Sequence, residues 1–302
     1  TEIMGPEEGG FAPLFQPVET GARISRRPDS RVSLREEMIT LDDLDYGKYG
    51  ALAAPGDFSR RDFKGFLHIP IVWTEQARFY PYFYLYGREG WKTIRLVEGM
   101  NRFTNIRTSV DEHIYLSSTR IFRRPFLYIT AGAAFELTRT ECRNLGEYLR
   151  NGGFVFADNG TPHYENSAAG ASLKQMFRDV LGCHARFEPI PNDHPLYHCF
   201  FDFDSPPPGA EVTLSDTNTS YFAIARSRKM RCPVFFLEGV FLENRLVAVY
   251  SDKGYGEKWG QPFRQYQIDG QPQWERHNTP QIKMGVNLVV YALMREGGMT
   301  ER

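Results

Sequence analysis

The spacing of apolar residues changes at about residue 79. Past that point, short apolar runs alternate with stretches whose apolar positions recur every three or four residues. Strands alternating with amphipathic helices give this pattern, and it predicts βαβ units with a mostly parallel sheet. A first strand is expected over 82–86 and a turn over 87–90. A helix should follow from Trp91 to about Arg102, with Ile94, Leu96, Val97 and Met100 on one face and Arg95 and Glu98 between them. Strands are expected over 105–109 and 126–130. Thr138, with Glu141 three residues on, reads as a capping box that opens a helix through Leu145, Tyr148 and Leu149. Asn151, Gly152 and Gly153 end that helix, a buried strand follows over 154–157, and Asp158, Asn159 and Gly160 read as a turn. A helix over about 171–181 stops at Gly182. Pro206, Pro207 and Pro208 keep the 189–208 stretch irregular. Strands are expected over 235–237 and 246–250, separated by a polar turn at Glu243 and Asn244. The last helix, over about 280–294, carries Ile282, Val286, Val289, Val290 and Leu293 as its apolar stripe.

Residues 1–70 lack any such period before Leu67, and Gly5, Pro6, Gly9, Gly10, Pro13, Pro17 and Pro28 punctuate them. They read as an extended N-terminal arm ahead of an α/β domain over 71–302. The arm's apolar anchors would be Phe11, Leu14, Phe15, Ile24, Val32, Leu34, Met38, Ile39 and Leu41. Such an arm is ordered only by extensive contact, with a neighbouring subunit or with its own domain, so other protein subunits are the expected partners, in a homo- or hetero-oligomer.

Charge narrows the partners. Lys plus Arg number 36 against 37 Asp plus Glu, so the basic footprint of a nucleic-acid binder is missing. No apolar run is long enough to span a bilayer as a helix. The 23 Phe and 16 Tyr suit either core packing or a protein interface. Cys142, Cys183, Cys199 and Cys232 show no CxxC spacing and read as buried thiols. A first residue of Thr fits removal either of a signal peptide or of an initiator Met.

Four motifs in order, TRTECRNLGEYLRNGGFVFADN from Thr138, NDHPLYHCFFDF from Asn192, RLVAVYSDKGYGEKW from Arg245 and GVNLVVYAL from Gly285, resemble the bacterial family catalogued as domain of unknown function 4159. The resemblance runs from about Phe79 to Met294. It implies a flavodoxin-like fold, similar to class I glutamine amidotransferases and ThuA-like proteins, with helices on both sheet faces. It also implies export to the periplasm or cell surface.

In that fold the catalytic thiol sits on a sharp strand-to-helix turn, where helix N–H groups can hold an oxyanion. The matching turn here, 154–160, has Asp158 and Asn159 and no Cys, so a thioester route is not expected. Strand-end carboxylates are nevertheless where open α/β sheets meet ligands, which makes Asp158 and Asn159 ligand candidates, joined by Ser251 and Asp252 at a second strand end. The same residues also suit bonds to their own turn. Asp193, His194 and His198, with His163, carry ligand types for zinc or iron; alternatively His194 orders its own loop, since Pro195 interrupts any helix there. Nothing matches a P-loop or dinucleotide fingerprint, and no cofactor is expected. Two function classes therefore stand: a non-catalytic binding or assembly protein, or a hydrolase or metal/ligand-binding enzyme using Asp158 with His163 or His194.

Overall fold

β4 and β5, the two strands at the centre of the core, find their place through an alternation of apolar side chains between two helical layers. The computed structural model describes residues 51–55, 63–76, 88–162, 167–182, 186–212, 234–260, 267–268, 271–272 and 278–300. All lie within one unit, Leu41–Arg302. β1 (Ala51–Pro55) pairs antiparallel with β2 (Phe63–Trp73), and β2 pairs parallel with β3 (Asn105–Tyr115), so most of this sheet's pairing is parallel. The second sheet has five strands: β4 (Phe126–Ala131), β5 (Phe154–Asn159) and β8 (Arg245–Ser251) run parallel in that order. β7 (Glu238–Leu242) and β6 (Arg186–Pro189) continue it antiparallel. The protein is a mixed α/β fold.

Helices cover both faces. Phe126, Tyr128, Phe154 and Phe156 point into a layer with α1 (Arg88–Phe103), α4 (Tyr255–Gly260) and α5 (Thr279–Met294), where Leu96, Met100, Trp259, Met284 and Val289 meet them. Leu127, Ile129, Val155 and Ala157 face α2 (Arg139–Arg150) and α3 (Ala168–Leu181), against Leu145, Tyr148, Leu173 and Phe177. That period of two, with both faces apolar, is why β4 and β5 read as unbroken hydrophobic runs.

The capping box at α2 forms as expected: Thr138 Oγ1 accepts the Glu141 N–H at 3.3 Å and Glu141 Oε2 accepts the Thr138 N–H at 2.8 Å. The other oxygen of Glu141 takes the Glu75 N–H at 2.7 Å, tying the helix start to the segment leaving β2.

Several expectations are corrected. Strand structure starts at Ala51 and β2 at Phe63, inside the stretch read as an arm, because Phe63, Leu67 and Ile69 share one face of β2 and bury it in the core with Leu96 and Met100 of α1. β3 runs on to Tyr115, as β2 offers it a partner through Trp73; the polar residues at every second position of this strand hid it. The 235–237 segment is not a strand. Glu243 and Asn244, at φ 51° and 67°, make the tight turn that sets Leu242 opposite Arg245, and β8 supplies partners back only to Glu238. Asp158 and Asn159 are the last residues of β5 and not a turn. The arm anchors from Phe11 to Leu41 and the strand expected over 82–86 lie outside the described residues.

Candidate functional site

Parallel register gathers the polar ends of β4, β5 and β8. Thr130 pairs with Asp158 and Asp158 with Ser251, so three oxygen-bearing side chains form one row on the α1/α4/α5 face. Asp158 is wholly buried. Its Oδ2 accepts the Gly256 N–H of α4 at 2.7 Å, and the Ser251 hydroxyl also donates to the carboxylate. Burial raises the Asp158 pKa to about 7, against the opposing pull of the Gly256 N–H, Ser251, the Lys92 charge and the Tyr255 N–H. Asp158 Oδ1 and Thr130 Oγ1, both shielded from solvent, have no hydrogen-bond partner.

Two ion pairs, one wholly buried and one half-buried at its glutamate, flank the row. Lys92 of α1 meets Glu257 of α4 at 2.8 Å, and Lys253 meets Glu211 at 2.6 Å while also donating to the Val234 carbonyl. Around the second pair the irregular 206–212 segment is fastened down: Tyr255 Oη donates to the Pro207 carbonyl at 2.7 Å, Gln281 Nε2 to that of Pro208 at 2.6 Å, and the Ala210 N–H to that of Lys253 at 2.7 Å. Gly254, at φ 62°, takes the left-handed turn that swings the chain from β8 into α4.

Asn159 and Asp252 face the other way, toward α3. Asn159 Nδ2 donates to Asp252 Oδ1 at 2.7 Å, and Asn159 Oδ1 accepts the Thr161 N–H at 2.9 Å and the hydroxyl of Ser167, the N-cap of α3. A side chain at Gly170 would come within 2.8 Å of Tyr250 Oη and 3.1 Å of Asn159 Nδ2, so glycine lets the helix start approach this closely. Asp252 and Tyr250 line a cleft of about 590 Å³ whose other walls include Phe135, Glu136, Ser172, Lys174, Arg178 and Asp179. The four strand-end candidates thus split between two faces: Asp158 with Ser251 in a buried row, Asn159 with Asp252 beside a cleft.

The histidines are elsewhere. The His194 ring lies 5.5 Å from that of Tyr291, which packs 5.7 Å from Phe154 at the start of β5, whereas Asp158 is four residues on, about 13 Å along a strand. The crevice joining Asp158 to His194 does not form. His194 Nδ1 instead accepts the Leu196 N–H at 3.1 Å and orders its own loop, burial lowering the imidazole pKa. His198 Nε2 bonds the Asn192 carbonyl at 2.9 Å, and its Nδ1 lies 3.5 Å from Asp202. Asp193 is exposed. Among the described residues no three His, Cys, Asp or Glu side chains gather as metal ligands would. His163, Cys183 and Cys232 lie outside the described residues; Cys142 is half-buried, and the half-buried Cys199 thiol donates to the Asn287 carbonyl at 3.3 Å. Thr130, Lys92 and Glu211 are site residues that the sequence did not single out. The one signal for Thr130 was its place at the end of the buried 126–130 run, in phase with Phe126 and Tyr128.

A mixed α/β protein whose polar groups collect at the C-terminal ends of parallel strands is the class that fold and site define. The family model described as Domain of unknown function (DUF4159) matches residues 83–293, more than half of the chain, and the protein belongs to that family. No curated protein matches the chain.

Proposed function

We propose that this protein is a non-catalytic binding or assembly subunit built on a flavodoxin-like scaffold of the class I glutamine amidotransferase type. For the scaffold, the support is two parallel sets of strands, β2 with β3 and β4 with β5 and β8, with β2 packed near β4; the flavodoxin order would require the two sheets to join past β1. α1 and α5 share one face, and α2 and α3 the other.

One observation carries the non-catalytic reading. Where the amidotransferase fold displays its thiol, this chain places a carboxylate that is wholly buried and held beneath α4 by the Gly256 N–H. A nucleophile has to be presented to substrate, and Asp158 is covered. Assembly with other subunits in the cell envelope completes the reading; it rests on the family resemblance and on the long, Pro- and Gly-punctuated N-terminal stretch. A C-terminally tagged chain isolated at native abundance should migrate well above its own 34.8 kDa, and a chain lacking residues 1–40 should not. A full-length chain that migrates as a monomer overturns the assembly role.

A hydrolase reading draws on a single feature, the raised pKa of Asp158 at about 7, where a general base works best. Turnover of an amide or ester that Asp158→Asn abolishes would establish it in place of the first.

A further inference from the structure

A strand in a parallel ladder turns the N–H and C=O of alternate residues to one neighbour and those of the residues between them to the other. β3 has β2 on one side and, among the described residues, no strand on the other. The outer edge of its first half runs through the main-chain groups of Ile106 and Thr108, and side chains bond all four of them. Asn101, in the last turn of α1, accepts the Thr108 N–H on Oδ1 at 2.8 Å and donates from Nδ2 to the Thr108 carbonyl at 2.7 Å. Thr104 Oγ1 accepts the Ile106 N–H at 3.1 Å, and the Thr108 hydroxyl donates to the Ile106 carbonyl at 3.0 Å.

Asn101 takes the place of a strand. A side-chain amide carries the acceptor and the donor of a peptide group, and here it makes both bonds that a residue opposite Thr108 on an added strand would make. The helix end holds it in position. The Thr104 N–H and hydroxyl both donate to the Met100 carbonyl, at 2.9 and 2.8 Å, which closes α1 and turns the chain back into β3 beside Asn101.

The edge behind this amide suits a second copy of the chain. Asn101, Asn105, Arg107 and Ser109 are exposed, so the edge is reached from solvent. Two β3 strands laid antiparallel about Thr108 would exchange both Thr108 bonds. They would set Arg107 opposite Ser109 of the other copy and Asn105 opposite its Asp111, with no like charges face to face. Open edges of this kind join readily, and proteins block them.

We propose that Asn101 guards the β3 edge: its amide occupies the pairing positions at Thr108 and keeps this edge from joining the same edge of a second copy. The subunit contacts of the assembly reading then lie elsewhere on the chain. The guard is judged against the parent protein's own mass, so a monomeric parent would end the assembly reading and leave this one standing.

Sedimentation of the full-length protein over a wide concentration range, combined with amide hydrogen exchange, tests the guard. Asn101→Ala sits at an exposed helix position where Ala is the better helix former, so the fold is kept. This variant should form a species of twice the parent's mass as its concentration rises. While still dilute and undimerised, it should exchange the Thr108 amide at least about tenfold faster than the parent, and the dimer should protect that amide again. Asn101→Asp keeps an acceptor for the Thr108 N–H and places a charge on the edge, so it should stay at the parent's mass. Asn101→Ala at the parent's mass throughout, Asn101→Asp associating as strongly as Asn101→Ala, or a dimer in which the Thr108 amide stays unprotected overturns the proposal.

Discussion

The two ends of the five-stranded sheet treat buried charge in opposite ways. At the end where β5 and β8 begin, Arg295 is buried among carbonyls: Nη1 donates to Leu246 O at 3.1 Å, and Nη2 to Gly152 O at 2.7 Å and Gly153 O at 2.9 Å. Arg245 beside it donates to the carbonyls of Leu149, Arg150 and Gly297, at 2.9, 3.0 and 2.9 Å, closing the C-terminus of α2. Burial lowers the Arg295 pKa only to about 10, so it stays charged at neutral pH. At the opposite end a buried carboxylate keeps one oxygen without a donor and titrates near neutrality. Arg295 leaves its Nε without a partner but makes three charge-assisted bonds, and a charge so nearly completed is structural; one met less fully holds free energy that a ligand or a proton can release.

The largest test of that contrast is Arg295→Met. It removes three charge-assisted bonds and strands their carbonyls, so urea unfolding should show a loss of about 4 kcal/mol; a loss below about 1 kcal/mol would erase the difference between the two ends. Lys253→Met leaves Glu211 buried without its cation and frees the 206–212 segment from the turn after β8. A loss of about 3 kcal/mol is expected, together with faster amide exchange at Ala210, whose N–H bonds the Lys253 carbonyl.

The Asp158 effect should be comparable in size and opposite in character. Its folded pKa of about 7 lies above its unfolded value near 3.8, so between those values the folded state binds more protons. Stability contributed by this group is present at low pH and is lost as the pH rises through about 7, by on the order of 4 kcal/mol. Asp158→Asn should remove that decline from the chemical-denaturation profile between pH 4 and 8, and a profile unchanged from the parent would show that the carboxyl is not perturbed. The smallest effect is at the α2 start, where Thr138→Ala should cost about 1 kcal/mol through the lost cap, measured by the same unfolding. This change should leave the pH profile of Asp158 untouched.

Local chemistry made much of the fold legible. The helices at 91–102, 171–181 and 280–294 were visible because a 3.6-residue period survives any tertiary context, and they appear as Arg88–Phe103, Ala168–Leu181 and Thr279–Met294. The Thr138–Glu141 box was legible because its atoms lie within one turn. β1 and most of β3 were not: β3 carries polar side chains at every second position, while β1 is a run of Ala, Leu and Pro with no alternation, and nothing local separates either from a loop. The site was partly legible for the same reason. Asp158 stood out as a carboxylate at a strand end, yet its pairing with His194 could not be judged, because the distance between them follows from which end of β5 each approaches.

The amino-acid sequence by itself determined the alternation of strands and helices, the caps and turns, the missing thiol at the β5 end and the family. Those properties rest on neighbours a few residues apart or on residue identity. Only the tertiary structure decided that Thr130, Asp158 and Ser251, drawn from three separated strands, stand in one row; that Asn159 and Asp252 face the other side; and that Lys92, Lys253 and Glu211 are buried as ion pairs. Register between strands and the solvent exclusion that shifts a carboxyl toward neutrality are set by packing across the whole sheet, and no window of the chain contains them.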